Sequence, residues 1–326
     1  MPTARTCPIC LNRDFADVPE IGEDHGLPPI VISKPCGLVM VNPMTTNAEK
    51  EARSTSVRSL HRSRSAEQSL EAAFRKSLPR AARCLDLFSQ HIPRHGEVLE
   101  IGSGDGAVMA MLARLGVRPT GLDPDEGAAR FIQRTMNLPV IVGSLEDADF
   151  QGRQFDAVVM VHLIEHLYEP VAALRSIHRL LKPGGLLFLE TPNILRPKVG
   201  PKRVFSFAHN YHFSPRTLTL ALHQAGFAPS AVRIFNRDSF QIVAHPEASA
   251  GERPGTESWQ EVAAAIQRHR TAYLTTLQFL WRKTPWLRER IMYGRPLDLT
   301  GLELKRWLKA YPAAASAPPT SIRIAA

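Results

Sequence analysis

The stretch Val98-Leu99-Glu100-Ile101-Gly102-Ser103-Gly104-Asp105-Gly106 decides how this 326-residue chain is read. Its first four residues have the character of a buried strand, and the glycines that follow are spaced GxGxG. Ala107-Val108-Met109-Ala110-Met111-Leu112-Ala113-Arg114-Leu115 comes directly after and has the composition of a packed helix. A strand, a glycine turn and a helix in that order bring backbone N–H groups and a helix N-terminus to one point, where a ligand can be held. A glycine turn alone is weak evidence, because such turns also join elements with no ligand nearby. The flanking sequence has to decide.

Downstream, strand and helix patterns alternate. Strands are expected at Val98–Ile101, Thr120–Leu122, Val140–Val142, Ala157–Val161 and Leu186–Leu189. Val232–Phe235 and Phe240–Ala244 follow, too close together for a crossover helix. Alternation implies an α/β fold with a parallel sheet, and the final close pair implies one antiparallel strand. One helix should start at Pro170 and stop at Lys182-Pro183-Gly184-Gly185. Another should be capped by Ser214, with Pro215 in its first turn and Gly226 as its stop.

The GxGxG turn, with Glu100 two positions before its first glycine, resembles motif I of the class I S-adenosylmethionine-dependent methyltransferases. The runs Phe155-Asp156-Ala157-Val158-Val159-Met160-Val161-His162-Leu163-Ile164-Glu165-His166-Leu167 and Leu181-Lys182-Pro183-Gly184-Gly185-Leu186-Leu187-Phe188-Leu189-Glu190-Thr191-Pro192-Asn193 are similar to its fourth and fifth strand signatures. The likeness is to the small-molecule branch, including the ubiquinone-pathway O-methyltransferases and enzymes that methylate sugars and polysaccharide ends. It covers about residues 96–245. It implies a Rossmann-like methyltransferase sheet, mostly parallel with one antiparallel strand and helices on both faces. A small N-terminal module and a C-terminal helical extension would flank it.

The resemblance also implies S-adenosyl-L-methionine as cofactor, whose parts need distinct handles. Glu100, Gly102, Ser103, Gly104 and Gly106 suit its methionine end. Asp123, 19 residues after Gly104, has the spacing of a ribose-binding acid. Ser144, Leu145 and Glu146 lie where the adenine is met, with Ser144 where relatives carry Asp. The competing readings make Asp123 a turn residue and Glu146 a solvated loop acid. His162 is expected to border the cofactor. In the ubiquinone-type enzymes a Glu stands at that position and, with the next Glu-His, resembles a metal site. Glu165 and His166 either anchor this loop or supply a general base that takes the acceptor's proton. The HxxEH spelling of an inverted zinc-protease motif is rejected, because it follows directly on a strand. His209 and His212, in Ala208-His209-Asn210-Tyr211-His212-Phe213-Ser214, are acceptor-side candidates or histidines bonded at a helix start.

The flanks are read separately. Residues 1–47 carry Cys7-Pro8-Ile9-Cys10 and Cys36, which look like a zinc knuckle with one ligand missing: Ser33 stands where a fourth thiolate is expected. His25 could complete a zinc site with Cys7, Cys10 and Cys36, but the module is expected to be metal-poor. Cys84 reads as a small core residue. Residues 48–95 should be a linker followed by capping helices, broken at Pro79. Residues 96–246 are the methyltransferase domain, 247–311 the helical extension and 312–326 a disordered tail. In the extension Trp259, Val262, Ile266, Tyr273, Leu277 and Leu280 form a stripe, followed by a basic segment. That stripe should pack on the main domain or a second subunit, giving a homodimer, or lie on an acidic membrane as a peripheral contact.

Composition sets outer bounds. With 44% hydrophobic and 22% charged residues the chain is globular in type. No apolar run reaches the roughly 18 residues needed to span a bilayer. Four cysteines are too few for a disulfide scaffold, so a cytoplasmic location is expected. The formal net charge of +9 would suit an anionic partner. The function that emerges is methyl transfer to a small molecule or glycan through oxygen, carbon or nitrogen. The alternatives are a zinc-bearing rRNA or other nucleic-acid methyltransferase and an inactive cofactor-binding partner subunit. Nucleic acid is not favoured, since the fourth strand ends in Val161-His162 and not in an Asn-Pro-Pro-aromatic run.

Overall fold

The computed structural model describes residues 5–18, 29–44, 66–197, 204–205, 208–235, 238–247, 255–256, 258–283 and 321–322. At the N-terminus, β1 (Phe15–Asp17), β2 (Ile30–Ser33) and β3 (Val39–Val41) pair antiparallel in that order. A long helix, α1 (Ala66–Phe88), leads into β4 (Glu97–Ile101), α2 (Ala107–Arg114), β5 (Arg118–Asp123), α3 (Glu126–Met136) and β6 (Val140–Val142). Then come β7 (Phe155–Val161), α4 (Pro170–Leu180), β8 (Leu181–Pro192), β9 (Tyr211–His212) and α5 (Pro215–Gln224). The chain continues through β10 (Phe227–Phe235), β11 (Ser239–Pro246), α6 (Trp259–Lys283) and β12 (Ser321–Ile322).

The main sheet has the order β12-β10-β11-β8-β7-β4-β5-β6. Strands β8, β7, β4, β5 and β6 run parallel, and β11 is inserted antiparallel between β8 and β10. The expected mixed α/β sheet is therefore present, with β12 adding a two-residue antiparallel edge. Alternation along the strands divides the core. Leu99, Ile101, Val158, Met160, Leu187 and Leu189 pack with Leu174 and Ile177 of α4 and Leu218 and Leu222 of α5. Val98, Ala157, Val159, Leu186 and Phe188 pack with Cys84, Leu85 and Phe88 of α1 and Leu112 of α2. Successive residues of a strand point to opposite faces, so near-continuous apolar runs are what a sheet covered on both sides requires.

Four details depart from the sequence reading. First, α1 runs unbroken through Pro79. A proline inside a helix costs about 3 kcal/mol, but here both halves are anchored. Leu70 and Phe74 lie against the Met109–Phe131 cluster, and Ala81, Leu85 and Phe88 are buried on the sheet. Second, β8 begins at Leu181, directly after α4, and Lys182–Gly185 are absorbed by a register shift against β7. Third, β10 starts five residues earlier than Val232, with Pro229 beside a bulge. Proline is tolerated there because the ladder is already interrupted. Fourth, the N-terminal module is not self-contained, since β9 of the main domain is the last strand of its sheet, pairing with β3.

The first part of the C-terminal stripe packs on the main body, with Val262 and Ile266 buried in the same cluster as α5. His25, the linker through residue 65, and the side chains of Leu277 and Leu280 lie outside the described residues, as does the basic segment. Of the tail, only Ser321 and Ile322 are described, as an edge strand. Among the described residues no helix is long and apolar enough to cross a membrane.

Candidate active site

The parallel strands bring their C-terminal ends to one edge of the sheet, where a ligand crevice is expected. At its centre is the turn after β4. Gly104 has φ +51, and a Cβ there would meet only the Gly102 carbonyl within 4 Å, at 3.9 Å, so the immediate space beside it is open. The Gly104 N–H donates to Asp123 Oδ2 at 2.8 Å, and the Asp125 N–H donates to Asp123 Oδ1 at 2.9 Å. Asp123 thus braces the turn and its own loop, the turn role weighed against ribose binding; each oxygen retains a further lone pair. Asp105 ties the turn to α1 by accepting from Ser77 Oγ at 2.6 Å and to α2 by accepting from the Ala107 N–H at 3.0 Å. The loop after β7 closes over the turn: a Cβ on Gly102 would lie 3.2 Å from Leu163.

Two polar atoms here are buried with no partner, Glu100 Oε2 and Ser103 Oγ. Burial, then Asp105 and Asp123, push the Glu100 carboxyl well above the usual carboxylate range. A cation docked beside it would relieve both the desolvation and the crowding of acids. These groups therefore fit the ammonium of the zwitterionic amino acid end of S-adenosylmethionine. At the third loop the Ser144 hydroxyl donates to Asp147 Oδ2 at 2.7 Å, Leu145 packs partly against the core and Glu146 is exposed. The Ser144 side chain thus closes its own turn, and the Gly143 N–H donates to the Asp123 carbonyl at 3.1 Å, which sets this loop beside Asp123.

His162 follows β7 in a left-handed conformation, φ +53. Its Nε2 lies 3.2 Å from Glu190 Oε1 and its Nδ1 3.4 Å from Glu165 Oε1. Glu165 Oε2 accepts from the Thr191 hydroxyl at 3.0 Å, and Glu190 Oε2 accepts from Gln241 Nε2 at 2.7 Å. Burial disfavours the charged imidazole, but the two carboxylates outweigh it and raise its pKa to about 9. Both carboxyls, penalised by burial, are nonetheless held below their usual range by His162. His162 is thus a half-buried imidazolium held between two buried carboxylates. Sequence reasoning passed over Glu190, although a carboxylate at the end of the apolar run Leu186–Leu189 demands a partner.

Beside this clamp the other histidines form a row. His166 and His209 rings are 4.8 Å apart, His209 and His212 5.7 Å, and His212 packs on Phe205 at 4.9 Å. His166 Nδ1 lies 2.8 Å from the Ala208 carbonyl, an acceptor only, so Nδ1 must carry the hydrogen. Its Nε2 then holds the lone pair, 3.9 Å from Glu165 Oε1. The loop is pinned by Asn210, whose Nδ2 donates to the carbonyls of His166 and Leu167 at 2.8 and 3.0 Å. Burial lowers the pKa of His209 and pushes that of His212 down to about 3. His212 Nε2 is buried without a partner. Glu165, His166 and His209 each offer an atom within 4.8 Å of the others, a set that could hold a metal ion.

The three N-terminal thiols likewise come together, with Cys7, Cys10 and Cys36 sulfurs all within 4.8 Å of one another. Cys84, by contrast, is buried in the core beneath α1, as expected.

Residues 71–232 match the family model described as a methyltransferase domain. A ubiquinone biosynthesis O-methyltransferase of Xanthomonas oryzae pv. oryzae is 39% identical over 116 residues, which are 33% of this chain and 48% of that protein. The Pseudomonas aeruginosa enzyme of the same name is 35% identical over 103 residues, 30% of this chain and 44% of that protein. The chain thus spans about half the length of the curated relatives it matches. Similar solved structures include the CcbJ methyltransferase of Streptomyces caelestis, at 17% identity and TM-score 0.44 over 52% of this chain and 90% of that one. Another is the PH0226 protein of Pyrococcus horikoshii, at 22% identity and TM-score 0.44 over 52% of this chain and 91% of that one.

Proposed function

Since this chain belongs to the class I S-adenosylmethionine-dependent methyltransferases through the domain at residues 71–232, we propose that it methylates a small molecule or glycan whose acceptor atom loses a proton as it attacks. S-adenosylmethionine supplies a methyl group made electrophilic by its sulfonium. The chain's task is then to bind, orient and deprotonate. Glu100, Ser103 and the Gly102–Gly106 turn take the amino acid end, and the free lone pairs of Asp123 take the ribose hydroxyls. The backbone at Ser144–Leu145 takes the adenine edge, with Glu146 at its rim, while His162 borders the cofactor through its clamp.

The observation that carries the acceptor half is the fixed tautomer of His166. Its Nδ1–H is committed to Ala208, which leaves Nε2 as a ready proton acceptor beside the Glu165 carboxylate. A carboxylate at that distance stabilises the imidazolium formed when the proton arrives. His209 packs against the His166 ring and holds its plane, and His212 backs His209 from the buried side. Glu165 acts through His166 in this reading. The complete glycine turn and the retained Asp123 speak for an active enzyme over an inactive partner subunit. We place any zinc at the N-terminal thiols, apart from the transferred methyl group, and the enzyme in the cytoplasm, where its cysteines stay free.

Asp123 provides the test of the donor half. Asp123→Ala removes two charge-assisted hydrogen bonds to the cofactor and should weaken S-adenosylmethionine binding by about 2–4 kcal/mol. It also removes the brace on Gly104, so a lower melting temperature is expected alongside. Calorimetry giving equal affinity for variant and wild type would take Asp123 out of the donor site. A wild-type chain that binds no S-adenosylmethionine would end the reading altogether.

A further inference from the structure

We propose that Cys7, Cys10, Cys36 and Ser33 are the four corners of a site for one divalent ion of the zinc class, with the Ser33 hydroxyl as fourth ligand. The ion would fix the sheet that carries His212. The expectation of a metal-poor module rested on the lack of a fourth thiolate. The structure puts a hydroxyl at that corner.

Two knuckles of the same backbone design face each other. In the first, the Leu11 N–H donates to the Cys7 carbonyl at 2.9 Å and Leu11 is left-handed, φ +57. In the second, the Gly37 N–H donates to the Ser33 carbonyl at 2.7 Å and Gly37 is left-handed, φ +77. Cys7-x-x-Cys10 and Ser33-x-x-Cys36 are thus equivalent turns, and Ser33 occupies in the second the place Cys7 has in the first. The side chains converge accordingly. Cys7 Sγ is 3.5 Å from Cys36 Sγ, Cys10 Sγ is 3.2 Å from Ser33 Oγ, and Cys36 Sγ is 3.4 Å from Ser33 Oγ. With zinc–sulfur bonds of about 2.3 Å and zinc–oxygen bonds of about 2.0–2.2 Å, the edges of a ligand tetrahedron are roughly 3.4–3.8 Å. Three of the six edges stand at nearly that spacing already, and the three sulfurs all lie within 4.8 Å of one another. Cys7, Cys36 and Ser33 are buried, so three of the four corners are shielded from water.

The site also lies in line with the histidine row. Ser33 ends β2, which pairs with β3, and β3 pairs with β9 through Val39–His212 and Met40–Tyr211. The Val41 N–H donates to the Asn210 carbonyl at 2.9 Å, and Asn210 in turn holds the His166 loop. An ion clamping both knuckles therefore sets the edge against which the acceptor-side loop is built. This coupling, unlike the metal site, rests on the proposed methyl transfer.

The test is a cobalt titration of the full-length reduced chain, with thiol counting to verify that all three thiols are free. One equivalent of Co²⁺ should produce thiolate-to-cobalt charge-transfer absorption and the intense visible bands of a tetrahedral ion, both bleached by Zn²⁺. A harder oxygen corner binds these ions less tightly than a fourth sulfur, so Ser33→Cys should raise the affinity by about tenfold or more, and Ser33→Ala should lower it. Absence of thiolate-to-cobalt bands in the wild type with its thiols reduced overturns the site. Unchanged affinity in both Ser33 variants overturns Ser33 as the ligand. Neither result depends on S-adenosylmethionine binding, so failure of the methyl transfer reading is separately visible.

Discussion

His166→Ala is expected to bind S-adenosylmethionine as the wild type does and to lose roughly 10²–10⁴-fold in turnover, the range for removing a positioned general base. Donor affinity should survive because the groups that would hold the donor are braced by one another, with the Gly104 and Asp125 N–H groups donating to Asp123, and not by His166. The loss falls on turnover because the imidazole's Nε2 carries a lone pair directed by a fixed tautomer. His166→Gln separates proton transfer from orientation: it can still donate to the Ala208 carbonyl but has no basic nitrogen. If His166→Gln retains turnover near wild type with an authentic acceptor, proton abstraction at this position is excluded. His212→Gln is expected to cost far less, since His212 is buried and its pKa of about 3 makes it a poor base.

The second large effect lies in the buried clamp. Glu190→Ala should destabilise the fold by about 1–3 kcal/mol, the cost of leaving buried polar partners short of an acceptor, since Glu165 still faces His162. It strips His162 of one of its two counter-ions and leaves Gln241 Nε2, whose amide oxygen accepts from Arg233 at 2.7 Å, with only the longer bond to the Cys84 carbonyl at 3.4 Å. The pH dependence follows from the direction of each shift. His162 has its pKa raised from 6.5 to about 9, so its contribution to stability is full below 6.5 and fades as pH rises through 9. Glu165 and Glu190 are depressed, so their contribution is present above 4.5 and fades as pH falls below it. Urea unfolding of the wild type should therefore show stability declining between pH 6.5 and 9, with a shallower decline in Glu190→Gln. Identical slopes in the two proteins would show that His162 does not carry a charge in this clamp.

What the sequence made legible is the part governed by local rules. The strand–turn–helix at Val98–Leu115, the caps at Ser214 and Gly226, and the order of the crevice loops follow from periodicity and turn chemistry, and the structure has them. Pro79 was misread because a local cost was weighed without the contacts that offset it, Phe74 on one side and Phe88 on the other. Glu190 was passed over because its partners, His162 and Gln241, are 28 and 51 residues away. The N-terminal sheet was invisible for a similar reason. Its strands are two to four residues long, too short for a periodic signal, and its fourth strand comes from the far side of the chain.

That last strand has a consequence for how the molecule assembles. Val39 pairs with His212 across about 170 residues of intervening chain, and contacts of such long range form late, because the loop between them must close first. While the chain is being synthesised, β3 waits with an open edge until residue 212 has emerged, and an open edge is a template for pairing with the wrong partner. The histidine row is completed at the same moment, so catalytic competence and protection of that edge should arrive as one event. In native-state hydrogen exchange the amides of Val41 and Asn210, bonded to the Asn210 and Glu165 carbonyls, should open together. Separate opening would mean that the main domain organises the row without its N-terminal strap.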